Sequence, residues 1–399
     1  MKFPLNYINK TVTLKYCGRE NVFHLSHGLF SSNDVDAGTR LLLKSISQRL
    51  DASKLTSILD VGCGMGVIGI ALAGAAQGAR LTFQDRDALA VAFARENARA
   101  NRVGNADFDC GLAFWNIGGR VFDLVVSNVP AKAGPPVLES FFHTVPVFLS
   151  RHGVCAIVIV RTLEQLARVS IQSSGCLIFH AESTAQHSTF FFQRLESPQA
   201  PTELPASLTP YMRARQRFSV KGIDYELETA FNLQDFDTIG YDTRLAQEIL
   251  PQALIKGAAL FWNPGQGHLS VYAEKRRPGG FMSVQIAGRD ALELVISERN
   301  LKAAGRTARV VLLPTEAGLA EAIDAGSINL LCAMFHPVPK APWQSDLAKS
   351  AETLLAKGGI FLAAGESTEA FRVLDSCKSF KLLESKKHYG FRAVLLQRR

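Results

Sequence analysis

The residues most able to do chemistry sit at three stations in the first third of the chain. Residues 58–69 read Ile-Leu-Asp-Val-Gly-Cys-Gly-Met-Gly-Val-Ile-Gly, the pattern of a buried strand that passes through a glycine turn into a helix. Glycines there let the backbone take positive φ and approach a ligand closely. Gly64-x-Gly66-x-x-Gly69 alone also fits a dinucleotide fingerprint. Asp60 separates the two readings, because a carboxylate before the turn repels a pyrophosphate at the helix N-terminus and attracts a cationic amino-acid moiety. At the second station, residues 80–85 form a strand ending in Asp85, followed by Arg86 and Asp87. An acid at that strand end can accept both hydroxyls of a ribose, whereas the competing role is a helix N-cap. We assign the ribose to Asp85 and the cap to Asp87. At the third, residues 122–127 run into Asn128-Val129-Pro130-Ala131, an amide and a proline-stiffened turn at the sheet edge where ligands of open α/β sheets bind, although Asn and Pro also make plain turns.

These stations need elements that hold them. Short β-rich apolar runs (57–61, 80–84, 121–127) alternate with helical patterns (67–76, 88–99), which predicts βαβ units, a mostly parallel sheet and helices on both faces. Residues 196–210 break the apolar periodicity with four prolines and read as a linker. The expected organisation is a first domain over 1–195, a Pro-rich linker over 196–215 and a second domain over 216–399. The two halves also match each other. Thr39-Arg40-Leu41 recurs as Thr243-Arg244-Leu245, Gly64-x-Gly66 as Gly265-x-Gly267, Arg86-Asp87-Ala88-Leu89 as Arg289-Asp290-Ala291-Leu292, residues 122–125 as 328–331, and Gly153 as Gly359. The offset stays between 201 and 206 residues. Five landmarks in one order at a nearly fixed offset mean two copies of one fold.

The 399 residues are 47% apolar and 20% charged, which excludes a disordered or fibrous chain. No apolar run approaches the roughly 18–20 residues of a membrane span, and the N-terminus lacks the apolar core of a signal peptide. Seven cysteines without a Cys-x-x-Cys pair argue against a disulfide framework or a zinc site and for a reduced, cytoplasmic compartment. A net charge of +8 permits an acidic partner such as nucleic acid. The densest basic groups are Arg213, Arg215, Arg217 and Lys221, and a C-terminal set around Lys386, Lys387 and Arg392. His24, His27 and His187 read as polar contacts rather than catalytic groups, and Phe190-Phe191-Phe192 as a core strand.

Taken in order, the three stations resemble the class I S-adenosylmethionine-dependent methyltransferases. Phe30-Ser31, Asp36-x-Gly38-Thr39-x-Leu41-Leu42, Asp60-x-Gly62-x-Gly64 and Ser127-Asn128-x-Pro130 are similar to the small-domain family that includes the tandem-domain ribosomal RNA guanine N2-methyltransferases. The resemblance implies two tandem Rossmann-like domains and S-adenosyl-L-methionine as cofactor, with ribosomal RNA or a ribosomal subunit as partner and no membrane. Carried over residue by residue, it implies that Asp60, Gly62 and Gly64 cradle the cofactor, Asp85 holds its ribose, and Phe30, Asp36 and Thr39 close the site. Asn128 and the Pro130 loop then face the substrate, with no metal. Where the family usually has Asn-Pro-Pro followed by an aromatic or aliphatic residue, this chain reads Asn128-Val129-Pro130-Ala131, so a flipped base would use another platform, Phe30 or Trp115. Its adenine-binding acid falls to Asp107 or Asp109.

Such a reaction asks little of the protein. An Asn oxygen and a backbone carbonyl can each accept one N–H of an exocyclic amine, drawing its lone pair toward the sulfonium methyl, and no strong base is needed. In the second copy Phe261 stands in the place of Asp60, Gly288 in that of Asp85, and residues 334–339 replace the substrate Asn. That domain is expected to be degenerate and non-catalytic, with the basic segment 213–221 supplying phosphate contacts. The alternatives are methylation of a small molecule or protein side chain, and a non-catalytic RNA-binding module.

Overall fold

The computed structural model describes residues 3–195 and 207–399. It divides into an N-terminal unit, Ile8–Tyr211, and a C-terminal unit, Met212–Arg399 together with Met1–Tyr7.

The N-terminal unit opens with a hairpin, β1 (Lys10–Tyr16) and β2 (Arg19–Leu25), followed by α1 (Ala37–Arg49). Then β3 (Ser57–Val61), α2 (Val67–Ala75), β4 (Arg80–Asp85), α3 (Ala88–Ala100), β5 (Ala106–Cys110), β6 (Phe122–Asn128), α4 (Pro135–Thr144), β7 (Leu149–Val160), α5 (Glu164–Ser173), β8 (Cys176–Ser183) and β9 (His187–Arg194) complete it. The sheet order is β5-β4-β3-β6-β7-β9-β8. The first five strands run parallel, and β9 is antiparallel to both β7 and β8. Ile58 and Leu59 on β3, Leu124, Val125 and Val126 on β6, and Cys155 through Ile159 on β7 are wholly buried, because central parallel strands are covered on both faces and so read as continuous apolar runs. Phe190, Phe191 and Phe192 form the buried stretch of β9, the core strand expected of them. Asp87 caps α3 through its carboxylate, which accepts from the Leu89 N–H at 2.9 Å.

The C-terminal unit repeats this plan. A hairpin of β10 (Met212–Val220) and β11 (Ile223–Ala230) precedes α6 (Tyr241–Ile249), β12 (Gly257–Trp262), α7 (His268–Arg276), β13 (Phe281–Gly288), α8 (Ala291–Ala303) and β14 (Arg309–Leu312). After these come α9 (Leu319–Ala322), β15 (Ile328–Met334), α10 (Trp343–Leu354), β16 (Leu355–Glu366), α11 (Ser367–Ser376), β17 (Phe380–His388) and β18 (Phe391–Arg398). The sheet order, β14-β13-β12-β15-β16-β18-β17, is that of the first unit. Conserved by the duplication are details that composition does not require. Asp123 accepts from the Thr56 N–H at 2.9 Å, and Asn329 accepts from the Ala258 N–H at 2.8 Å. The register slips between Phe122 and Leu124 in one sheet and between Ile328 and Leu330 in the other. Gly153 and Gly359 follow those slips, where a Cβ would lie 2.6 Å from the Phe122 carbonyl oxygen and 2.8 Å from that of Ala356.

Two expected boundaries move. Residues 212–215, expected in the linker, belong to β10, because the alternating pattern of the hairpin pairs them with β11; residues 196–206 lie outside the described residues. Residues 5–7, expected in the first domain, form a short 3-10 turn of the C-terminal unit. There the Tyr7 hydroxyl donates to Glu316 at 2.7 Å in a buried contact. Among the described residues, no helix is long and apolar enough to cross a membrane.

Candidate active site

The glycine turn after β3 is shaped by its backbone. Gly62 and Gly64 take φ of +67° and +54°, and a Cβ at either would point into open space, so the turn leaves room for a ligand. Gly69, in the first turn of α2, is needed for a different reason: a Cβ there would lie 2.5 Å from the Phe83 ring. The missing side chain lets α2 approach the sheet, and the Gly69 N–H then reaches the Asp60 Oδ2 at 2.9 Å.

Asp60 is 1% exposed. One carboxylate oxygen is held by Gly69; the other, Oδ1, is buried with no hydrogen-bond partner. Burial, reinforced by the charge of Asp85 and opposed by the Gly69 N–H, pushes its pKa up from 3.8 to about 7. Asp85, at the end of β4, accepts from the backbone N–H groups of Gly64 at 2.9 Å and Asp87 at 3.0 Å. Desolvation raises it to about 6. Two poorly compensated carboxylates beside an open glycine turn form a receptor for positive charge and hydroxyl donors.

Asn128 ends β6. Its Nδ2 donates to the Asp36 Oδ2 at 3.0 Å and to the Thr39 Oγ1 at 3.1 Å. Asp36 is the N-cap of α1 and accepts from the Thr39 N–H at 3.1 Å with the same oxygen. The amide nitrogen is therefore committed to α1, which fixes the side chain and leaves the Asn128 carbonyl oxygen as an acceptor for an incoming N–H. The Val129 N–H is used by the Val158 carbonyl at 2.9 Å, and exposed Pro130 starts the short turn Ala131–Ala133. Close to this cluster lies His187, whose ring would sit 3.0 Å from a Cβ at Gly38.

The structure thus gathers the sequence-predicted residues into two groups, Asp60, Gly62, Gly64 and Asp85 around the glycine turn, and Asp36, Thr39 and Asn128 around the end of β6. Phe30 does not join them; it is 69% exposed in the loop before α1, and no hydrogen bond or ring contact ties it to Asn128. Asp107 and Asp109 lie on β5 in ion pairs, Asp107 with Arg80 and Arg120 at 2.9 and 3.2 Å and Asp109 with Arg120 at 3.3 Å. Cys110, not an acid, ends β5 beside Asp85.

Two residues that the sequence reading missed hold the site in place. Buried Asn97 on α3 donates to the Met65 carbonyl at 2.9 Å and to that of His24 at 3.1 Å, and accepts from the His24 N–H at 2.8 Å. It ties the glycine turn to the β1–β2 hairpin. Asn300 does the same in the second unit, donating to Gln266 at 2.8 Å and Glu228 at 2.9 Å and accepting from the Glu228 N–H at 2.8 Å. The recurrence of Asn at an offset inside the repeat's range was the available signal. Buried Gln84 fixes the loop after β5 by accepting from the Phe114 N–H at 2.8 Å and donating to the Trp115 and Leu112 carbonyls at 2.6 and 3.1 Å.

In the C-terminal unit, the strand position of Asp60 is occupied by buried Phe261, that of Asp85 by Gly288 and that of Asn128 by Met334. The turn shape survives without its acids, with Asn263, Gly265 and Gly267 at φ of +51°, +55° and +91°. The basic residues expected to be a linker lie on the β10–β11 hairpin and are paired: Arg213 with Asp237 at 2.5 Å, and Arg215 and Arg217 with Glu226 at 3.1 and 3.4 Å. Glu226 faces Arg217 across the hairpin and lies diagonal to Arg215, whereas Asp237 comes from the segment after β11; a folded hairpin can hold such partners in place.

The shared sheet order gives both units the class I methyltransferase fold, and the acid-lined turn with its nearby amide is found in the first. Residues 20–174 match the family described as the methyltransferase small domain. The Bacillus subtilis protein YbxB is 30% identical over 151 residues, 38% of this chain and 74% of YbxB. The chain belongs to the methyltransferase small-domain family. The ribosomal RNA small subunit methyltransferase C of Haemophilus influenzae is 32% identical over 124 residues, 31% of this chain, so that the match spans about a third, 35%, of that enzyme. Among solved structures, a T. thermophilus 16S rRNA N2 guanine methyltransferase in complex with AdoMet and guanosine is similar in fold over 99% of both chains, with a TM-score of 0.67 at 15% identity.

Proposed function

We propose that the N-terminal unit transfers a methyl group from S-adenosyl-L-methionine to the exocyclic N2 amine of a guanine in ribosomal RNA. The observation that carries this reading is Asn128, whose amide nitrogen is pinned by Asp36 and Thr39 at 3.0 and 3.1 Å while its carbonyl oxygen stays available. Relatives that act on ribosomal RNA support the choice of substrate.

The residues present fit the cofactor. The unpartnered Asp60 Oδ1 suits an N–H donor or cationic group, the glycine turn has open space where Cβ atoms would stand, and Asp85 remains an acceptor at the end of β4. When bound, the cofactor supplies an electrophilic methyl on a positively charged sulfur. The protein's own part is positioning. The Asn128 oxygen accepts one N–H of the amine and turns the nitrogen lone pair out of conjugation; no strong base is required, since the proton leaves after the nitrogen has become cationic. The acids of β3 and β4 favour the positively charged donor over its neutral product, which promotes exchange after each transfer. Incubating the full chain with labelled methyl donor and unmodified ribosomal RNA, followed by nucleoside analysis, tests the reading. Label recovered as N2-methylguanosine is the expected result; label on protein or small molecules with none on RNA overturns it.

A further inference from the structure

Two short turns fold with the unit that chain order does not lead to, and they do so reciprocally. Leu5–Tyr7 comes just before the β1–β2 hairpin of the N-terminal unit but belongs to the C-terminal unit, whereas Thr209–Tyr211 comes just before the β10–β11 hairpin of the C-terminal unit but belongs to the N-terminal unit. Both are single 3-10 turns closed in the same way, the Tyr7 N–H donating to the Pro4 carbonyl at 2.9 Å and the Tyr211 N–H to that of Leu208 at 2.8 Å. Each ends in a buried tyrosine, and the two tyrosines stand at an offset inside the range of the repeat. Agreement in sequence position, local bond and burial makes them one feature of the duplicated fold rather than two unrelated turns.

The turns dock at equivalent places. The Tyr7 hydroxyl donates to Glu316, whose backbone carbonyl accepts from the Ser350 hydroxyl on α10 at 2.8 Å. Thr209–Tyr211 packs against α4. These two helices are counterparts in the repeat, α4 lying between β6 and β7 and α10 between β15 and β16 in chain order. What differs is the loop each helix carries. In the N-terminal unit the chain runs from Asn128 at the end of β6 directly into α4. Pro130 opens the turn Ala131–Ala133, the Ala133 N–H donates to the Pro130 carbonyl at 3.1 Å, and Gly134, at φ +85°, caps α4 with its carbonyl accepting from the Leu138 N–H at 3.1 Å. The substrate loop therefore hangs between the pinned Asn128 and the first turn of α4, and any displacement of α4 moves it. The loop that precedes α10 has Met334 in place of the substrate Asn, so the matching turn there holds architecture without chemistry.

We propose that Thr209–Tyr211 is a strap that sets the substrate loop of the N-terminal unit, with Tyr211 as a positioning residue for methyl transfer. The inference rests on the proposed transfer to RNA and names a further residue that the reaction needs. Tyr211 acts through α4 rather than on the reacting atoms. Loosening α4 lets the Pro130 loop drift, and a misplacement of about 1 Å can cost about 10²-fold in rate. Met212 begins β10 immediately after Tyr211, so the strap is drawn from the hairpin of the C-terminal unit. A unit without the cofactor acids thereby keeps a part in the reaction, as the anchor of that strap.

The test compares Y211A, Y211F and Y7A in the full chain, by hydrogen exchange and by steady-state methyl transfer to unmodified ribosomal RNA. Y211A should exchange at least about tenfold faster over residues 131–138, bind S-adenosylmethionine within about twofold of the parent by titration, and lose about tenfold or more in kcat. Y211F keeps the buried ring and should match the parent in all three readings. Y7A removes the matching turn from the C-terminal unit; it should speed exchange around Glu316 and α10 while kcat stays within about twofold. Folded Y211A with parent-like exchange over 131–138, or with parent-like kcat, overturns the strap. So does a Y7A protein that loses as much kcat as Y211A, since the effect would then be general destabilisation. If Y211A does not fold, Y211L, which keeps apolar bulk at the site, is read in the same way. Exchange is independent of the reaction: a parent that transfers no methyl while Y211A loosens 131–138 sinks the proposed reaction alone, whereas a parent that methylates RNA beside a Y211A protein of unchanged exchange and kcat sinks the strap alone.

Discussion

Replacing Asp60 with Asn should make the free protein more stable and the enzyme useless. Asp60 carries its charge poorly compensated, because among the described residues its Oδ1 has no hydrogen-bond partner and its Oδ2 accepts from the Gly69 N–H. Each tenfold change in acidity corresponds to about 1.4 kcal/mol. The rise from 3.8 to about 7 therefore means that ionised Asp60 destabilises the folded state by about 4 kcal/mol at pH 8. Between those two values the folded chain binds more protons than the unfolded one, so this contribution to stability falls as pH rises from about 4 to about 7 and is constant above it. An Asn at this position keeps an oxygen for the Gly69 N–H and removes the charge. In urea unfolding, D60N should exceed the parent by a few kcal/mol at pH 8, and the gap should shrink to under about 2 kcal/mol at pH 5, where the parent's Asp60 is protonated in the native state. Isothermal titration with S-adenosylmethionine at pH 8 should show binding to the parent and none to D60N. A gap of the same size at both pH values, or a D60N protein less stable at pH 8, would refute the account of Asp60 as a strained, ligand-seeking acid.

Asn128→Ala should leave cofactor affinity intact by titration and lower the rate of methyl transfer by about 10² or more, the size expected for loss of a positioning hydrogen bond. Asp36→Ala should reduce kcat through the freed Asn128 amide and lower stability by about 1 kcal/mol through loss of the α1 cap, both read on one preparation. Asn97→Ala should cost about 3 kcal/mol by urea unfolding, because it leaves the Met65 and His24 backbone groups unpaired in the interior. The full chain should bind one cofactor molecule, and D60N none; a second site surviving in D60N would show that the C-terminal unit had kept its cleft.

Much of this was written in local patterns. Apolar runs at the right spacing placed β3, β4 and β6 within a residue or so of their observed ends, and the offset between the halves revealed the duplication. Asp87 read as a cap because a cap is a local interaction. The expectations that failed depended on partners distant in sequence. Arg213, Arg215 and Arg217 looked like a basic linker since nothing nearby in the sequence showed that Glu226 and Asp237 would lie opposite them. Asp107 and Asp109, the two alternatives for the adenine-binding acid, stand in ion pairs with Arg80 and Arg120 that no local pattern announced. Residues 5–7 could not be assigned to the C-terminal unit from the sequence, because the Tyr7–Glu316 bond spans 309 residues. Asn97 was passed over for a similar reason: an Asn inside a helical pattern reads as solvated surface, and its three backbone partners come from β2 and from the glycine turn.

The two units show which parts of the fold serve architecture and which serve chemistry. After duplication each copy was free to lose whatever its own stability did not require. What both retain is the frame: the Asn97 and Asn300 bonds, the Asp87 and Asp290 caps that accept from Leu89 and Leu292 at 2.9 Å, and the positive-φ glycine turn. What only one retains is costly. Asp60 and Asp85 are buried acids held above their ordinary pKa, and an unselected copy gains stability by replacing them with Phe261 and Gly288. A frame stabilises itself, whereas a poorly compensated acid persists only where something selects for it. The survival of Asp60, Asp85 and Asn128 together in the N-terminal unit therefore supports the proposal that the reaction takes place there, and the absence of all three from the corresponding positions of the C-terminal unit supports a non-catalytic role for that unit.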